Sequence, residues 1–275
     1  MLGCDAGHRF DVNRRGYASL LSGSTKLIGD SAAMLDARDA FLEKGWYTEL
    51  RDALSRLVGA GRPRRVVDIG CGTGYYLRGV LSVLEQAGTA DGSSAEAELR
   101  ALAVDLSPVA VARTLRTATI RAEPAGSDSV AADTAGLVAD VWSPLPIRDA
   151  AADVIINVFA PRNATEFHRI LTPDGLLAVV VPHTTHLQEL RAAGLALDVH
   201  ANKVDGLVDS LSGGFRLESA DDISRVLSLS PTDVGALIGM GPSSHHSGSP
   251  ASVAAPAPTD VTVAFSLLGF RRTGA

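Results

Sequence analysis

The sequence predicts an α/β fold whose sheet is mostly parallel and covered by helices on both faces. From Val66 onwards, short apolar runs typical of buried strands alternate with longer runs typical of helices, which is the pattern of such sheets. A glycine-rich turn follows the first strand, and an aspartate stands at the end of each of the next two. The carboxyl ends of parallel strands meet at one edge, where nucleotides bind in open sheets.

The alternation assigns each element in turn. Strands are predicted in "RVVDIG", "RALAVDLS", "LVADVW", "ADVIINVFAP" and "GLLAVVVP". A last run, "VTVAFSLLGFRR", alternates and is predicted as an antiparallel edge strand. Helices are predicted in "YYLRGVLSVLEQA", "PVAVARTLRTA" and "ATEFHRIL". Residues 90–97, 123–135 and 242–259 are rich in small and polar residues and are expected to be surface loops.

Two more helices are predicted before the first strand. "GDSAAMLDARDAFLEKG" can be capped by Asp30 or Ser31 and stopped by Gly45, and "YTELRDALSRLVGAG" is the second. The apolar positions expected to face the core are Met34, Leu35, Phe41, Leu42, Leu50, Leu54, Leu57 and Val58. The predicted organisation is an irregular module at 1–30, a helical region at 31–62 and a cofactor-binding domain at 63–275.

The bulk properties indicate a cytoplasmic globular protein without a membrane partner. The chain has 275 residues, of which 46% are hydrophobic, enough for one sizeable core. No apolar run reaches the roughly 18–20 residues that span a bilayer, the amino terminus has no signal-peptide pattern, and two distant cysteines give no disulfide framework.

The charge is uneven along the chain. The net charge of −6 argues against wholesale coating of nucleic acid. Residues 1–65 nevertheless hold 11 Lys and Arg against 8 Asp and Glu, while the remainder holds 14 against 23. A basic front end on an acidic body permits an anionic partner on one side, although an ordinary solvated surface would have the same composition.

The stretch "VVDIGCGTGYYL" favours S-adenosylmethionine over a dinucleotide. Gly70, Gly72 and Gly74 alternate directly after a strand, where glycine allows a tight turn and close approach of a ligand. A dinucleotide fingerprint, G-x-G-x-x-G, would need a third glycine where Tyr75 stands. The observed spacing, with Asp68 before it, is similar to motif I of class I methyltransferases.

Two further acids support this cofactor. Asp105 ends the second strand, where a carboxylate can accept hydrogen bonds from both ribose hydroxyls. Asp140 ends the third strand, which resembles the place where class I methyltransferases hold the adenine edge.

Most of the chain resembles bacterial 23S rRNA guanine-N1 methyltransferases, and within them the macrolide (tylosin-type) resistance branch. The likeness rests on ordered segments that cover nearly the whole chain: "GHRFDVNRRGYASLL", "KLIGDSAAMLDARDAFLEKGWY", "VVDIGCGTGYYL", "NVFAPRN", "HLQEL" and "MGPSSHH". It implies a class I, Rossmann-like methyltransferase domain with a seven-stranded sheet at 63–275, S-adenosylmethionine as donor, and a guanine in a 23S rRNA hairpin as acceptor. A homodimer is also implied.

The resemblance also assigns individual residues. It implies cofactor contacts by Tyr47, by Gly72 and Thr73, and by His186. Taken without the resemblance, Tyr47 could equally be an aromatic packing on the core, and His186 a helix-cap or surface histidine.

The resemblance further implies a zinc ribbon at the amino terminus. The family's site has a Cys-x-x-Cys pair followed by a cysteine and a histidine. Cys4 and His8 match the second pair, but the chain begins too late for the first. Two ligands cannot fill a tetrahedral structural site, so residues 1–30 are expected to form only a partial zinc-ribbon-like module in which zinc binding stays open.

Methylation of guanine N1 needs a positioned base and the loss of a proton. In related enzymes, the segment matching "NVFAP" holds the acceptor base, so Asn157 could bond the guanine edge and Phe159 could stack on it. A structural asparagine and a core phenylalanine are the alternatives. His183, His245 and Asp140 are candidate general bases without ranking. Arg9, Arg14, Arg15 and Lys26 are expected to contact RNA phosphates, or else to be merely solvated.

Two other functions stay open at this point. A small-molecule methyltransferase could share the fold, although such enzymes rarely resemble the front module. A non-catalytic rRNA-binding protein could retain the cofactor fold, although the intact glycine loop with Asp68 and Asp105 disfavours it.

Overall fold

The computed structural model describes residues 1–3, 7, 9–21, 27–90, 98–121, 132–197, 203–241 and 258–274. Within these ranges the chain forms ten strands and eight helices. The strands are β1 (Leu2–Gly3), β2 (Arg9–Phe10), β3 (Tyr17–Ser19), β4 (Arg65–Ile69), β5 (Arg100–Asp105), β6 (Asp133–Val138), β7 (Ala152–Val158), β8 (Leu171–Pro182), β9 (Phe215–Leu229) and β10 (Thr259–Arg272). The helices are α1 (Ala32–Leu42), α2 (Thr48–Gly59), α3 (Tyr75–Ala90), α4 (Pro108–Arg121), α5 (Ala164–Ile170), α6 (Gln188–Ala192), α7 (Lys203–Leu211) and α8 (Pro231–Gly239).

The main sheet confirms the predicted α/β class. Its strand order is β3-β6-β5-β4-β7-β8-β10-β9. Only β10 runs antiparallel, to both β8 and β9. Six of these strands were predicted individually, β9 completes the seven that the resemblance implies, and β3 adds an eighth at one edge, parallel to β6. Alternate residues of β7 face opposite sides: Ile155 and Ile156 belong to two separate buried clusters, each covered by helices.

The prediction of an edge strand at the end of the chain was wrong. β10 lies inside the sheet, where ten of its 14 residues are buried, and the edge is formed by β9. The apolar pattern of β10 reflects neighbours on both sides. β9 was not predicted, because most of its 15 residues are exposed and charged residues interrupt its apolar positions. Its backbone hydrogen bonds to β10, rather than a periodic sequence pattern, identify it as a strand.

The helices before the sheet follow their sequence patterns. α1 is capped by Ser31, whose Oγ accepts a hydrogen bond from the Met34 backbone N–H at 3.2 Å. The predicted core positions of both helices are buried, except that Leu57 is only partly so. α2 and α3 pack side by side, and Gly79 allows the contact because a Cβ there would lie 2.6 Å from Arg51 Cγ.

Part of the front segment is built into the main sheet. A turn at Asn13 to Gly16 reverses the chain, and Tyr17 to Ser19 then pair with β6. Gly136 of β6 makes room for this docking. The predicted domain boundaries at residues 30 and 62 stay a prediction, but the segment before residue 30 shares a sheet with the segment after residue 63.

Several predicted features fall outside the described residues. These are Cys4, His8, Lys26 and His245, together with residues 91–97, 123–131 and 242–257 of the predicted loops. Residues 133–135 of the second predicted loop belong to strand β6. Among the helices that the structure describes, none is long and apolar enough to cross a membrane.

Gly136→Ala is expected to destabilise the fold by about 1–3 kcal/mol. Its Cβ would lie 2.5 Å from Val111 Cγ1, 2.8 Å from Tyr17 Cβ and 2.9 Å from Leu115 Cδ1, so β3 or α4 would have to move. Urea unfolding measures the change. Gly206→Ala in α7, where a Cβ meets nothing within 4 Å, is the control and should be neutral or slightly stabilising. Equal stability of the two variants would contradict the tight docking of β3.

Candidate functional site

The glycine loop between β4 and α3 has the conformation that its sequence predicts. Gly70, Gly72 and Gly74 have φ angles of +80°, +53° and +75°, in the region that side chains disfavour. The backbone N–H groups of Gly70 and Cys71 both donate to the Val104 carbonyl, which holds the loop against β5. A Cβ on Gly70 would lie 2.3 Å from Ala160 Cβ. The loop therefore packs directly on the segment that follows β7.

Asp105 joins this loop to the end of β5. One carboxylate oxygen accepts a hydrogen bond from the Gly72 N–H at 3.0 Å, and the other accepts one from the Ser107 N–H at 2.8 Å. Burial raises the pKa of Asp105, and the two backbone hydrogen bonds partly oppose that rise. Each oxygen keeps a second lone pair, so the predicted ribose contact is compatible with this bridging role and stays a prediction.

Asp68 lies beneath the loop and is almost fully buried. Its pKa is raised to about 8, first by burial and then by the nearby negative charge of Asp105. A buried carboxyl with such a pKa can hold its proton near neutral pH, and it would ionise readily if a cation were placed beside it. Perturbed acids of this kind are typical of functional sites.

An aromatic cluster brings together three residues that the sequence predicted separately. Phe265 of β10 lies at its centre, with ring centroids 4.8 Å from Tyr47, 5.4 Å from Phe159 and 4.8 Å from His186. Tyr76 extends the cluster, 6.3 Å from Phe159. Phe265 was not predicted, because a phenylalanine in an apolar strand looks like any core residue.

Three buried hydroxyl groups beside the loop and the cluster have no hydrogen-bond partner in the part of the chain that the structure describes. They are Tyr47 Oη, Tyr76 Oη and Thr73 Oγ1. Burial raises the pKa of both tyrosines, so both remain protonated. Buried hydroxyls are normally paired, and three such groups at one glycine loop fit a polar ligand such as S-adenosylmethionine.

Arg38 is a site residue that sequence reasoning missed. Its guanidinium lies over the glycine loop, 3.0 Å from where a Gly72 Cβ would stand. It pairs with Asp30 at 2.5 Å and donates to the Met240 carbonyl at 2.9 Å. On the polar face of α1 nothing in the sequence distinguishes it from a solvated arginine, since only the fold brings α1 to the loop.

Asp140 lies at the expected strand end and caps its own turn. Its Oδ1 accepts from the Trp142 N–H at 3.0 Å, and its Oδ2 accepts from the Ser143 hydroxyl at 3.3 Å. The Ala139 N–H donates to the Asp105 carbonyl, so this turn borders the loop after β5. A role for Asp140 at the adenine edge stays a prediction.

Asn157 and Phe159 occupy different environments at the end of β7. Asn157 is fully buried, and its Nδ2 donates to the carbonyls of Ile69 at 3.3 Å and Pro161 at 3.0 Å. Both amide hydrogens are therefore used within the protein, which favours a positioning role over contact with a base. Phe159 has a left-handed φ of +54° and is 44% exposed, so its ring is open to a ligand.

The two described histidines near this edge are held by local hydrogen bonds. His183 Nδ1 lies 3.0 Å from Thr185 Oγ1, and His186 Nδ1 accepts from the Ala264 N–H at 3.2 Å. His186 also faces Phe265. The geometry brings His186 to the predicted cofactor side but selects no general base.

Three of the predicted RNA contacts are exposed. Arg14 and Arg15 form the tip of the turn before β3, which is fixed by Asn13 Oδ1 accepting from the Arg15 N–H at 2.9 Å. Arg9 lies in the short strand β2. Within the described ranges no group of three or more residues could hold a metal ion. Cys4 and His8 lie outside those ranges, so the zinc question is not addressed by the structure.

Comparison with known proteins gives close relatives in sequence. The chain is 41% identical over 249 residues to the 23S rRNA (guanine(748)-N(1))-methyltransferase of Streptomyces fradiae, covering 89% of this chain and 80% of that protein. It is 36% identical over 291 residues to a Micromonospora griseorubida protein whose name gives 23S rRNA guanine-N1 methylation without a nucleotide number, covering 98% and 90%. No family model matches the chain.

Solved structures give the fold alone. The structure of loganic acid methyltransferase with SAH aligns with a TM-score of 0.58 at 9% identity, covering 90% of this chain and 98% of that one. The likeness confirms the class I methyltransferase fold that the sequence predicts.

Asp68→Asn is expected to remove a pH-dependent loss of stability. The folded state raises the pKa of Asp68 from 3.8 to about 8, so this carboxyl supports stability fully below its unfolded pKa and loses that contribution as pH rises to about 8. Each pKa unit corresponds to about 1.4 kcal/mol. The unfolding free energy of the unliganded wild type should therefore fall between pH 5 and pH 8 by several times that amount.

Urea unfolding at both pH values measures this difference. Asp68→Asn should flatten the fall, whereas Asp260→Asn, which changes an exposed carboxyl, should leave it unchanged. The same pH slope in Asp68→Asn and the wild type would contradict the assignment.

Proposed function

The chain belongs to the family of 23S rRNA (guanine-N1)-methyltransferases, and we propose that it transfers a methyl group from S-adenosylmethionine to N1 of a guanine in a 23S rRNA hairpin. The observation that supports this most is the junction of two features at one edge of the sheet. A glycine loop with unpaired buried hydroxyls meets an aromatic cluster that ends in the exposed ring of Phe159. One side suits a nucleoside cofactor, and the other suits a flat base.

We propose that S-adenosylmethionine is held by residues from five segments of the fold. Gly70, Gly72, Thr73 and Gly74 would approach it with backbone and hydroxyl groups, Asp105 would accept from the ribose, and Asp140 would border the adenine. Tyr47 and His186 would close the pocket through Phe265, and Asp68 would support the loop from below. When bound, the cofactor supplies an activated sulfonium methyl group, so the protein's task is alignment and exclusion of water.

On the acceptor side, Phe159 would stack on the target guanine. The base has to leave its RNA helix to reach a buried methyl donor, and an exposed aromatic ring offers it a new stacking partner. Asn157 would keep this ring in place by tying the loop after β7 to β4 through the Ile69 carbonyl.

The hairpin formed by residues 12–18 favours RNA over a small molecule as acceptor. Arg14 and Arg15 are presented at the tip of a turn whose return strand is part of the main sheet. Two arginines on a turn that is fixed to the main sheet suit contact with RNA phosphates. Phosphate contacts position a nucleic acid on a protein but do not discriminate between base sequences. Three unpaired buried hydroxyls disfavour a non-catalytic protein, because a pocket without a ligand would leave them unsatisfied. We further propose a cytoplasmic location, where rRNA is available, and a homodimer, which sedimentation at micromolar concentration would test.

A tritium-transfer assay on unmethylated 23S rRNA tests the function. We expect label from S-adenosyl-[methyl-³H]methionine in one guanine, mapped by a reverse-transcription stop, because an N1-methyl group blocks base pairing. Guanine 748, named for the Streptomyces fradiae relative, is the first position to examine. Expression in a macrolide-sensitive host lacking the modification should reduce sensitivity to tylosin. Label found only in small molecules or protein would refute the proposal.

Replacing both arginines of the turn by alanine is expected to weaken RNA binding and to flatten its salt dependence. Loss of two phosphate contacts should lower the slope of log K against log salt by about 1–2. Binding of S-adenosylmethionine, measured by calorimetry, should not change. The matched control is Arg100→Ala with Arg148→Ala, which removes the same charge from two exposed side chains outside the turn. If the control pair changed the slope as much, the hairpin would not be the RNA contact.

A further inference from the structure

Arg162 is a half-buried arginine beside the acceptor side of the site. Its Nη1 donates to Asn157 Oδ1 at 3.4 Å and to the Ala160 carbonyl at 3.2 Å. Burial lowers the pKa of its guanidinium. No carboxylate in the described part of the chain forms an ion pair with it. Buried cations are normally paired with an anion, and Arg162 has no such anionic partner among the described residues.

Three other partly buried arginines do have such partners. Arg38 pairs with Asp30, Arg113 pairs with Asp36 and Asp39, and Arg169 pairs with Glu166. Arg162 differs from these three because, within the described residues, its guanidinium contacts only an amide oxygen and a backbone carbonyl.

Arg162 belongs to the same loop after β7 as Phe159, the residue proposed to stack on the guanine. Ala160, whose carbonyl it contacts, packs on Gly70 of the glycine loop. Asn157, which accepts from it, is tied to the end of β4. Phe159, three residues earlier, is strained into a left-handed conformation and presents its ring to the outside. Backbone strain of this kind is typical of functional sites. The loop after β7 therefore carries both the exposed ring of Phe159 and the guanidinium of Arg162. Nη1 of Arg162 is used within the protein, whereas Nε and Nη2 have no partner among the described residues.

We propose that Arg162 donates a hydrogen bond to O6 of the target guanine and thereby stabilises the base as it loses its N1 proton. O6 is adjacent to N1 and is a preferred acceptor for arginine. When the N1 proton leaves to solvent water, the negative charge is shared between N1 and O6, and a nearby cation favours that form. The N1 lone pair then forms the N–C bond while the methyl C–S bond of the donor breaks. Arg162 stays protonated throughout.

This inference rests on the proposed function and adds a catalytic residue to it. It also explains how proton loss can be assisted at a site where no described residue is selected as general base. The same geometry would suit a phosphate of the flipped nucleotide, but that contact would act on RNA affinity rather than on the acidity of N1. The pH dependence of the reaction separates the two.

The test compares Arg162→Ala, Arg162→Lys and Arg148→Ala with the wild type on a 23S rRNA hairpin. We expect Arg162→Ala to lower kcat by about 10²–10³-fold and to move the alkaline rise of kcat upwards by at least about one pH unit, because N1 then loses its proton less readily. Arg162→Lys should recover part of the rate and part of the pH shift. Arg148→Ala, which removes an exposed arginine, should match the wild type.

Calorimetry with S-adenosylmethionine and thermal unfolding accompany the kinetics, so that a folding defect is recognised. If Arg162→Ala cannot be folded, Arg162→Lys carries the test through its pH profile. An unchanged kcat and pH profile would overturn the proposal, and so would a change confined to RNA affinity and its salt slope, which would indicate a phosphate contact. A wild type that methylates no RNA would instead refute the proposed function itself.

Discussion

The carboxylate of Asp105 is the contact on which the geometry of the site depends. It accepts one backbone N–H from the glycine loop and one from the start of the loop before α4, so two loops that leave neighbouring parallel strands are fixed relative to each other. Ser107 then donates its hydroxyl to the Asp30 carbonyl, which ties the approach to α1 into the same arrangement. Because Arg38 of α1 lies over Gly72, one carboxylate indirectly sets the distance between the loop and the helix that covers it. Burial of Asp68 under the loop raises its pKa, and the negative charge of Asp105, held in place by these hydrogen bonds, raises it further.

The second half of the site depends on β10. An antiparallel strand inserted between β8 and β9 brings Phe265 to the active edge, where it contacts residues from the start of α2, the end of β7 and the turn after β8. Without that ring, Tyr47, Phe159 and His186 would share no common neighbour. The aromatic cluster thus brings residues from three distant parts of the sequence to one side of the site. Among these rings, only Phe159 is substantially exposed. This combination separates a closed cofactor side from an open acceptor side.

The sequence predicted most of the fold because its signals are local. Alternation of apolar runs, the Ser31 cap and three glycines after β4 are each readable within a few residues, and all are present in the structure. What could not be read depends on contacts between distant segments. β9 exists only as the partner of β10, β3 depends on the space left by Gly136, and Arg38 and Phe265 enter the site because helix and strand are brought there by the fold. Asn157 shows the opposite case: the motif marks its position, but full burial and two backbone acceptors indicate that it supports the loop.

The polar groups left unsatisfied near the loop form a consistent pattern rather than scattered defects. Tyr47, Thr73 and Tyr76 hold unpaired buried hydroxyls, and Arg162 holds an unpaired half-buried charge. Each such group costs stability in the unliganded protein, on the order of 1–3 kcal/mol for a neutral one. Arg38, Arg113 and Arg169 pair with carboxylates, whereas Arg162 has no carboxylate partner in the described part of the chain. The simplest physical explanation is that the partners of these four groups arrive with the substrates: the hydroxyls lie on the side assigned to the cofactor, and the charge lies on the side assigned to the guanine.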